Sequence, residues 1–180
     1  AKGATKGELM TAGHVLSGRR VKIDQKRRIQ LNGKTRFLGY WQDYKLQKPF
    51  DEDGWFNSND LGEFDKNGFL QVIGRLDRMF ISGGENIHPE LIEQALINID
   101  GILNAVVIDM PSKTYGSRPV AFLQRQKNYN DSCLRTLLSK NLMPFQIPDV
   151  FLDWPSLEFS LKPSLGQFRQ IAQNKISICN

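Results

Sequence analysis

An α+β fold in two consecutive parts is what this sequence predicts, and three observations predict it. Short β-prone runs separated by turn residues fill the chain up to about Arg75. A helical repeat of apolar residues begins at Pro89. Beyond it, apolar strand runs alternate with further helical stretches, and no internal repeat or low-complexity segment intervenes.

In the first part, Val21-Lys22-Ile23 and Ile29-Gln30-Leu31 flank the turn-like Asp24-Gln25-Lys26, and Asn32-Gly33-Lys34 follows as a second turn. Gly54-Trp55-Phe56 leads into Asp60-Leu61-Gly62. Asp65-Lys66-Asn67-Gly68 then turns the chain into the strand Phe69–Ile73, so antiparallel hairpins are expected. In the second part, Leu91, Ile92, Ala95, Leu96 and Ile99 share one helical face. Pro89 suits the first turn, Glu90 and Glu93 favour its positive end, and a helix over 89–99 follows. Strands are expected at 105–108, 118–123 and 150–152, a helix over 131–142, and a last helix beginning near Pro163. The change of pattern near 75–77 marks the domain boundary, and its shortness suits a hinge better than a tether.

Composition excludes several functions. A hydrophobic share of 40% with 24% charged residues is ordinary for a globular protein, and no apolar run approaches the ~20 residues of a membrane helix. The first residues, Ala1–Gly7, hold no apolar secretory core and read as a processed or artificial end, so a cytoplasmic protein without membrane association is expected. Cys133 and Cys179 lack metal-ligand spacing, and with only His14 and His88 beside them no zinc site is expected; both cysteines read as small buried or terminal apolar residues. The net charge of +5 is uneven, with 12 Lys/Arg against 3 Asp/Glu in residues 1–50 and 12 against 16 thereafter. Arg19-Arg20-Val21-Lys22 and Lys26-Arg27-Arg28 are read as solvated strand faces, or as a face toward an acidic partner domain, rather than as a nucleic-acid footprint.

Individual residues carry weak signals alone. Asp60, taken to lie after an aromatic strand at a sheet edge, can accept hydrogen bonds from ligand hydroxyls, although an Asp before Gly is usually a turn residue. The fork of Arg75 suits ribose or phosphate oxygens, or an ion pair with Asp77 or Glu85. Gly83-Gly84 permits positive φ and close backbone approach. His88 reads as a capping or packing residue, and Trp41, Trp55 and Trp154 as core aromatics. Two histidines do not allow a Ser-His-Asp arrangement to be assembled.

The run Gly74-Arg75-Leu76-Asp77-Arg78-Met79-Phe80-Ile81-Ser82-Gly83-Gly84-Glu85-Asn86-Ile87-His88-Pro89-Glu90, with Gly54-Trp55-Phe56-Asn57-Ser58-Asn59-Asp60-Leu61-Gly62 upstream, resembles the domain junction of acyl-CoA synthetases and related adenylate-forming enzymes. Gly39-Tyr40-Trp41, Gly13-His14-Val15-Leu16 and Gly116-Ser117-Arg118-Pro119-Val120-Ala121 look most like the o-succinylbenzoate-specific subfamily of menaquinone biosynthesis. The resemblance implies that residues 1–76 end a large N-terminal domain and that 77–180 form a mobile C-terminal lid. It implies that Asp60 and Arg75 contact the nucleotide, that Asp77 is the hinge, and that Gly83, Gly84 and Glu85 border the path of coenzyme A. The partners it implies are ATP, coenzyme A, a small-molecule carboxylate and the missing N-terminal region of the same chain, with Mg2+ belonging to the parent enzyme and not held by this piece; self-association is left open.

Two departures matter. The family's Gly/Ser/Thr-rich phosphate loop and its aromatic-Gly-x-Thr-Glu segment are absent from this sequence, so the piece is expected to be inactive alone. Where the family carries a catalytic lysine near its end, Gln167 stands, with Lys162 as a substitute by a shift of register. A neutral amide cannot stabilise developing phosphate charge as an ammonium does, so weakened adenylation is expected, with thioester formation less affected. The rival expectation is a non-catalytic interaction or regulatory module derived from the family.

Overall fold

The computed structural model describes residues 11–155 and 164–178, which divide into two compact units, Ala1–Asp77 and Arg78–Asn180. In unit 1 the strands are β1 (Arg19–Ile23), β2 (Arg28–Gly33), β3 (Tyr40–Gln42), β4 (Lys45–Gln47), β5 (Phe56–Phe64) and β6 (Leu70–Arg75). Antiparallel pairing builds a sheet in the order β1-β2-β5-β6, and β3 with β4 forms a separate hairpin. The turn after β1 is locked by Asp24, whose carboxylate accepts from the backbone N–H groups of Lys26 and Arg28 and from Arg28 Nε. Asp65 does the same between β5 and β6, accepting from the N–H groups of Asn67 and Phe69.

In unit 2 the elements are β7 (Phe80–Ser82), β8 (Glu85–Ile87), α1 (Pro89–Ile97), β9 (Ile102–Ser112), β10 (Gly116–Arg125), α2 (Asp131–Leu138), β11 (Val150–Asp153) and α3 (Leu165–Ile178). β10 is the spine. It pairs with β9 antiparallel over most of its length, with β11 in parallel, and at Gly116 with Ser82 of β7. Because side chains alternate across a strand, β10 feeds two apolar clusters. Ala121 and Leu123 join Ile92 and Leu96 of α1 and Leu134 and Leu138 of α2. Val120 and Phe122 meet Phe168 and Ala172 of α3. The mixed architecture is the expected α+β.

Several expectations need correction. Asp60 is not at a sheet edge after a strand; it lies within β5, which has β2 on one side and β6 on the other. Trp41 is no core residue: it is 72% exposed on the β3–β4 hairpin, which short length and an Asp43-Tyr44 turn concealed. Cys133 is exposed, on the solvent side of α2, and Cys179 lies outside the described residues. The helix expected to reach Leu142 ends at Leu138, and Leu142 N–H then bonds back to Leu138 O before Pro144. His88 occupies the N-cap of α1, but its side chain makes no capping bond.

Phe168 is 1% exposed, with its ring centroid 4.9 Å from Phe122 and 5.3 Å from Trp154. Phe168→Ala is expected to destabilise unit 2 by about 3–5 kcal/mol through the cavity left under α3. Urea unfolding followed by Trp154 fluorescence measures it, in variants with Trp41 and Trp55 replaced by Phe.

Candidate functional site

Asp60 and Arg75 face each other in register across β5 and β6. The guanidinium Nε and Nη2 of Arg75 donate to the two carboxylate oxygens of Asp77, both at 2.8 Å, while Nη1 reaches Asp60 Oδ1 at 3.3 Å. Pairing of β5 with β6 thus brings all three side chains together. The side chains of Asp60, Arg75 and Asp77 are 34%, 44% and 57% exposed, so all three lie at the surface of the unit. A carboxylate beside a guanidinium offers both acceptor and donor to a pair of vicinal hydroxyls.

The backbone around Asp60 accounts for the residues at 58 and 59. Asn59 has φ +61°, left-handed backbone where glycine is freest and asparagine is the tolerated alternative. Its carbonyl accepts from Leu76 N–H at 2.8 Å, tying this bulge of β5 to the end of β6. Ser58 Oγ donates to Ile29 O and accepts from Asp60 N–H at 3.1 Å, so a hydroxyl at 58 fixes the backbone that presents Asp60.

In unit 2, Gly83 and Gly84 are the two turn residues between β7 and β8, with φ +61° and +89°. Positive φ at both positions defines the tight turn that matches strand twist, which is why glycine suits it. A Cβ on Gly83 would lie 3.3 Å from the ring of Tyr115, and Gly83 N–H bonds Tyr115 O at 2.9 Å. Glu85, exposed and in register with Ser82, lines a groove of about 460 Å3 together with Tyr115, Arg118, Phe145 and Asp149.

Arg118 went unnoticed as a site residue in sequence, where it was only one letter of a matching motif. Its guanidinium donates to Asp149, to the Phe145 and Ile147 carbonyls and to Ser82 Oγ, joining β7, β10 and the segment before β11. The Asp149 bond, more than offsetting partial burial, raises its pKa above the ordinary arginine value, so the group is a fixed cation. Arg78 is similarly committed: burial opposes its charge, but Glu93 and then Glu90 outweigh this and raise its pKa. It donates to Glu93 at 2.6 Å and to Val107 O at 3.1 Å.

Gln167 has a structural task. Its Oε1 accepts from Ser164 N–H at 2.8 Å, and its own N–H donates to Ser164 Oγ at 3.3 Å. This is a reciprocal capping box at the start of α3, legible as Ser-x-x-Gln yet missed. Lys162 lies outside the described residues. Among the described residues no group of three or more His, Cys, Asp or Glu side chains is placed to hold a metal, and no helix is long and apolar enough to cross a membrane.

No protein-family model matches the chain. Sequence and structure nevertheless identify its class: the chain belongs to the adenylate-forming acyl-CoA synthetases and corresponds to their C-terminal part. Within that class it is similar to 2-succinylbenzoate–CoA ligases, being 36% identical over 138 residues to that of Listeria monocytogenes serotype 4b, a match covering 77% of this chain and 30% of the relative. The structure of wild-type E. coli MenE with a bound phenylether-linked analogue of OSB-AMS superposes with TM-score 0.77 at 32% identity, over 92% of this chain and 36% of that one. For o-succinylbenzoate CoA synthetase from Bacillus subtilis in complex with the acyl-adenylate intermediate OSB-AMP, the TM-score is 0.74 at 25% identity, over 88% and 37%. The chain therefore spans about a third of the length of the relatives it matches.

Ser164→Ala and Gln167→Ala are each expected to lower the stability of unit 2 by about 0.5–2 kcal/mol. Their effects should be less than additive, because each removes a bond the other shares. Urea unfolding monitored by far-ultraviolet circular dichroism checks both numbers.

Proposed function

We propose that this chain is the C-terminal part of an AMP-forming acid–CoA ligase, with o-succinylbenzoate as the acid and menaquinone biosynthesis as the setting. The parent uses ATP, Mg2+ and coenzyme A in the cytoplasm, and the piece alone is inactive. The observation that carries the reading is the Arg75 guanidinium held between Asp60 and Asp77. In this reading Asp60 accepts the ribose hydroxyls of the nucleotide. Arg75 turns its Nη1, which makes the longest of its three carboxylate bonds here, toward a ligand oxygen.

The unit boundary falls after Asp77, whose carboxylate is paired within unit 1, while Arg78 is paired within unit 2. Backbone rotation at Asp77 would then present unit 2 in two working orientations, one for adenylation and one for thioester formation. In the second, the Gly83-Gly84 turn and Glu85 border the pantetheine arm, and the absence of Cβ atoms lets the backbone approach it closely. Enclosure of the adenylate excludes water from a mixed anhydride that hydrolyses readily.

The capping box favours a second reading. Gln167, at the family's lysine position, carries no charge and its carbonyl oxygen is bound to Ser164, which suits a non-catalytic interaction module. The two readings separate in a chimera that joins this chain to the upstream two thirds of the Listeria enzyme.

The ligase reading expects AMP release that depends on 2-succinylbenzoate and coenzyme A and is absent from other aromatic and aliphatic acids. A chimera that folds yet releases no AMP with any acid defeats it. In the active chimera, Arg75→Ala should slow adenylate formation about 10²-fold. Gln167→Lys should raise it about tenfold or more in pre-steady-state measurement, despite weakening the α3 cap. Gly84→Val, strained at φ +89°, should slow thioester formation and leave adenylation unchanged.

A further inference from the structure

The groove beside the glycine turn has two walls that are distant in sequence. One is the turn itself, carried by β7 and β8; the other is the 3₁₀ turn Pro144–Gln146 and the residues that follow it to Asp149. Arg118 bonds to both. Its Nη1 donates to Ser82 Oγ at 3.3 Å on the first wall and to Phe145 O at 2.9 Å on the second. Nη2 donates to Ile147 O at 3.2 Å and to Asp149 Oδ1 at 2.7 Å, and Nε to the two Asp149 oxygens at 3.0 Å. A guanidinium carries five N–H groups, and these contacts engage every one of them. The cation therefore lines the groove without a spare donor to offer a ligand.

We propose that Arg118 is a positioning residue for thioester formation: it braces the Gly83-Gly84 turn against the 144–149 wall and so fixes the passage that coenzyme A must enter. This rests on the ligase reading above. Ser82 is the point of leverage, because it immediately precedes Gly83 and is buried at 1% exposure. Without Arg118 its hydroxyl would lose a donor in the interior, as would the carbonyls of Phe145 and Ile147. The turn would then keep the bond from Gly83 N–H to Tyr115 O but lose its tie to the opposite wall. Lysine cannot take over this task. Its ammonium keeps the charge but has only three donors, and no planar fork to span acceptors on separate segments.

Two measurements test it, one on the whole 180-residue chain and one on the chimera with the upstream part of the Listeria enzyme. In the chain, Arg118→Ala should quicken hydrogen exchange at Gly83 N–H about tenfold or more by NMR, while Phe168 N–H in α3 stays unchanged. A general loss of stability would quicken both. In the chimera, Arg118→Ala should slow transfer from the adenylate to coenzyme A about 10²-fold and leave adenylate formation within about twofold. Arg118→Lys should be nearly as slow in transfer. Leu96→Ala, which opens the core near the C-terminal end of α1 and away from the groove, should leave the ratio of the two half-reactions unchanged. The proposal is overturned if exchange at Gly83 does not move or if the two half-reactions slow together. It is also overturned if Arg118→Lys restores transfer, which would make the residue a charge for the ligand and not a brace for the turn. A chimera that folds and forms no adenylate with any acid defeats the ligase reading instead; quickened exchange at Gly83 would still uphold the brace, and unmoved exchange would overturn it.

Discussion

The alternation of side chains along β10 is the constraint on which unit 2 depends. Val120 and Phe122 face the cluster under α3, while Ala121 and Leu123 face the cluster under α1 and α2. A shift of one residue in this strand would exchange the two faces and empty both clusters. The same strand begins at Gly116, paired with Ser82, so the Gly83-Gly84 turn is positioned by the register that packs the core. Arg118, two residues into β10, extends that control by bonding Ser82 Oγ and the carbonyls of 145 and 147. Groove and core therefore share one reference frame.

Unit 1 is organised differently. Polar links do much of its local work: Asp24 and Asp65 close their turns, Asn32 Nδ2 donates to Gly54 O, and Lys22 and Arg20 lie over the Trp55 ring at 4.2 and 5.3 Å. Such contacts fix geometry but each contributes only modestly to stability in water. The three charged residues of the candidate site stand at the end of this unit, where the pairing of β5 with β6 sets Asp60 opposite Arg75. Precision at the site comes from strand register and from the Asn59 bulge rather than from burial.

Much of this was legible in sequence. Period-two and helical patterns located β1, β2, β6, α1 and the strand pair β9–β10; in α1 and β10 the apolar spacing coincides with burial. The three-residue strands escaped: β3–β4 turns through Asp43-Tyr44 with φ +50° and +58°, residues that carry no glycine signal. The strands β7 and β8 that flank Gly83-Gly84 escaped as well, being too short to show alternation. Asp60 reads in sequence as a carboxylate able to accept from ligand hydroxyls, but its place inside a central strand depends on long-range pairing with β2 and β6. The capping role of Gln167 is written in the local Ser-x-x-Gln, a signature that does not depend on the charge at that position. The convergence of Arg118 on segments some thirty residues distant has no local signature at all.

The parallel pairing of β10 with β11 has a kinetic meaning. Val120 and Val150 meet only after the chain closes a loop of about thirty residues that includes α2, whereas β9 and β10 join through a short turn at 113–115. Nearby partners find each other first, since loop closure grows costlier with chain separation. The β9–β10 ribbon is thus the natural nucleus of unit 2, and β11 a late arrival. Asp149, just ahead of that last strand, reaches Arg118 only with it, so the groove beside the glycine turn acquires its final wall at the end of folding.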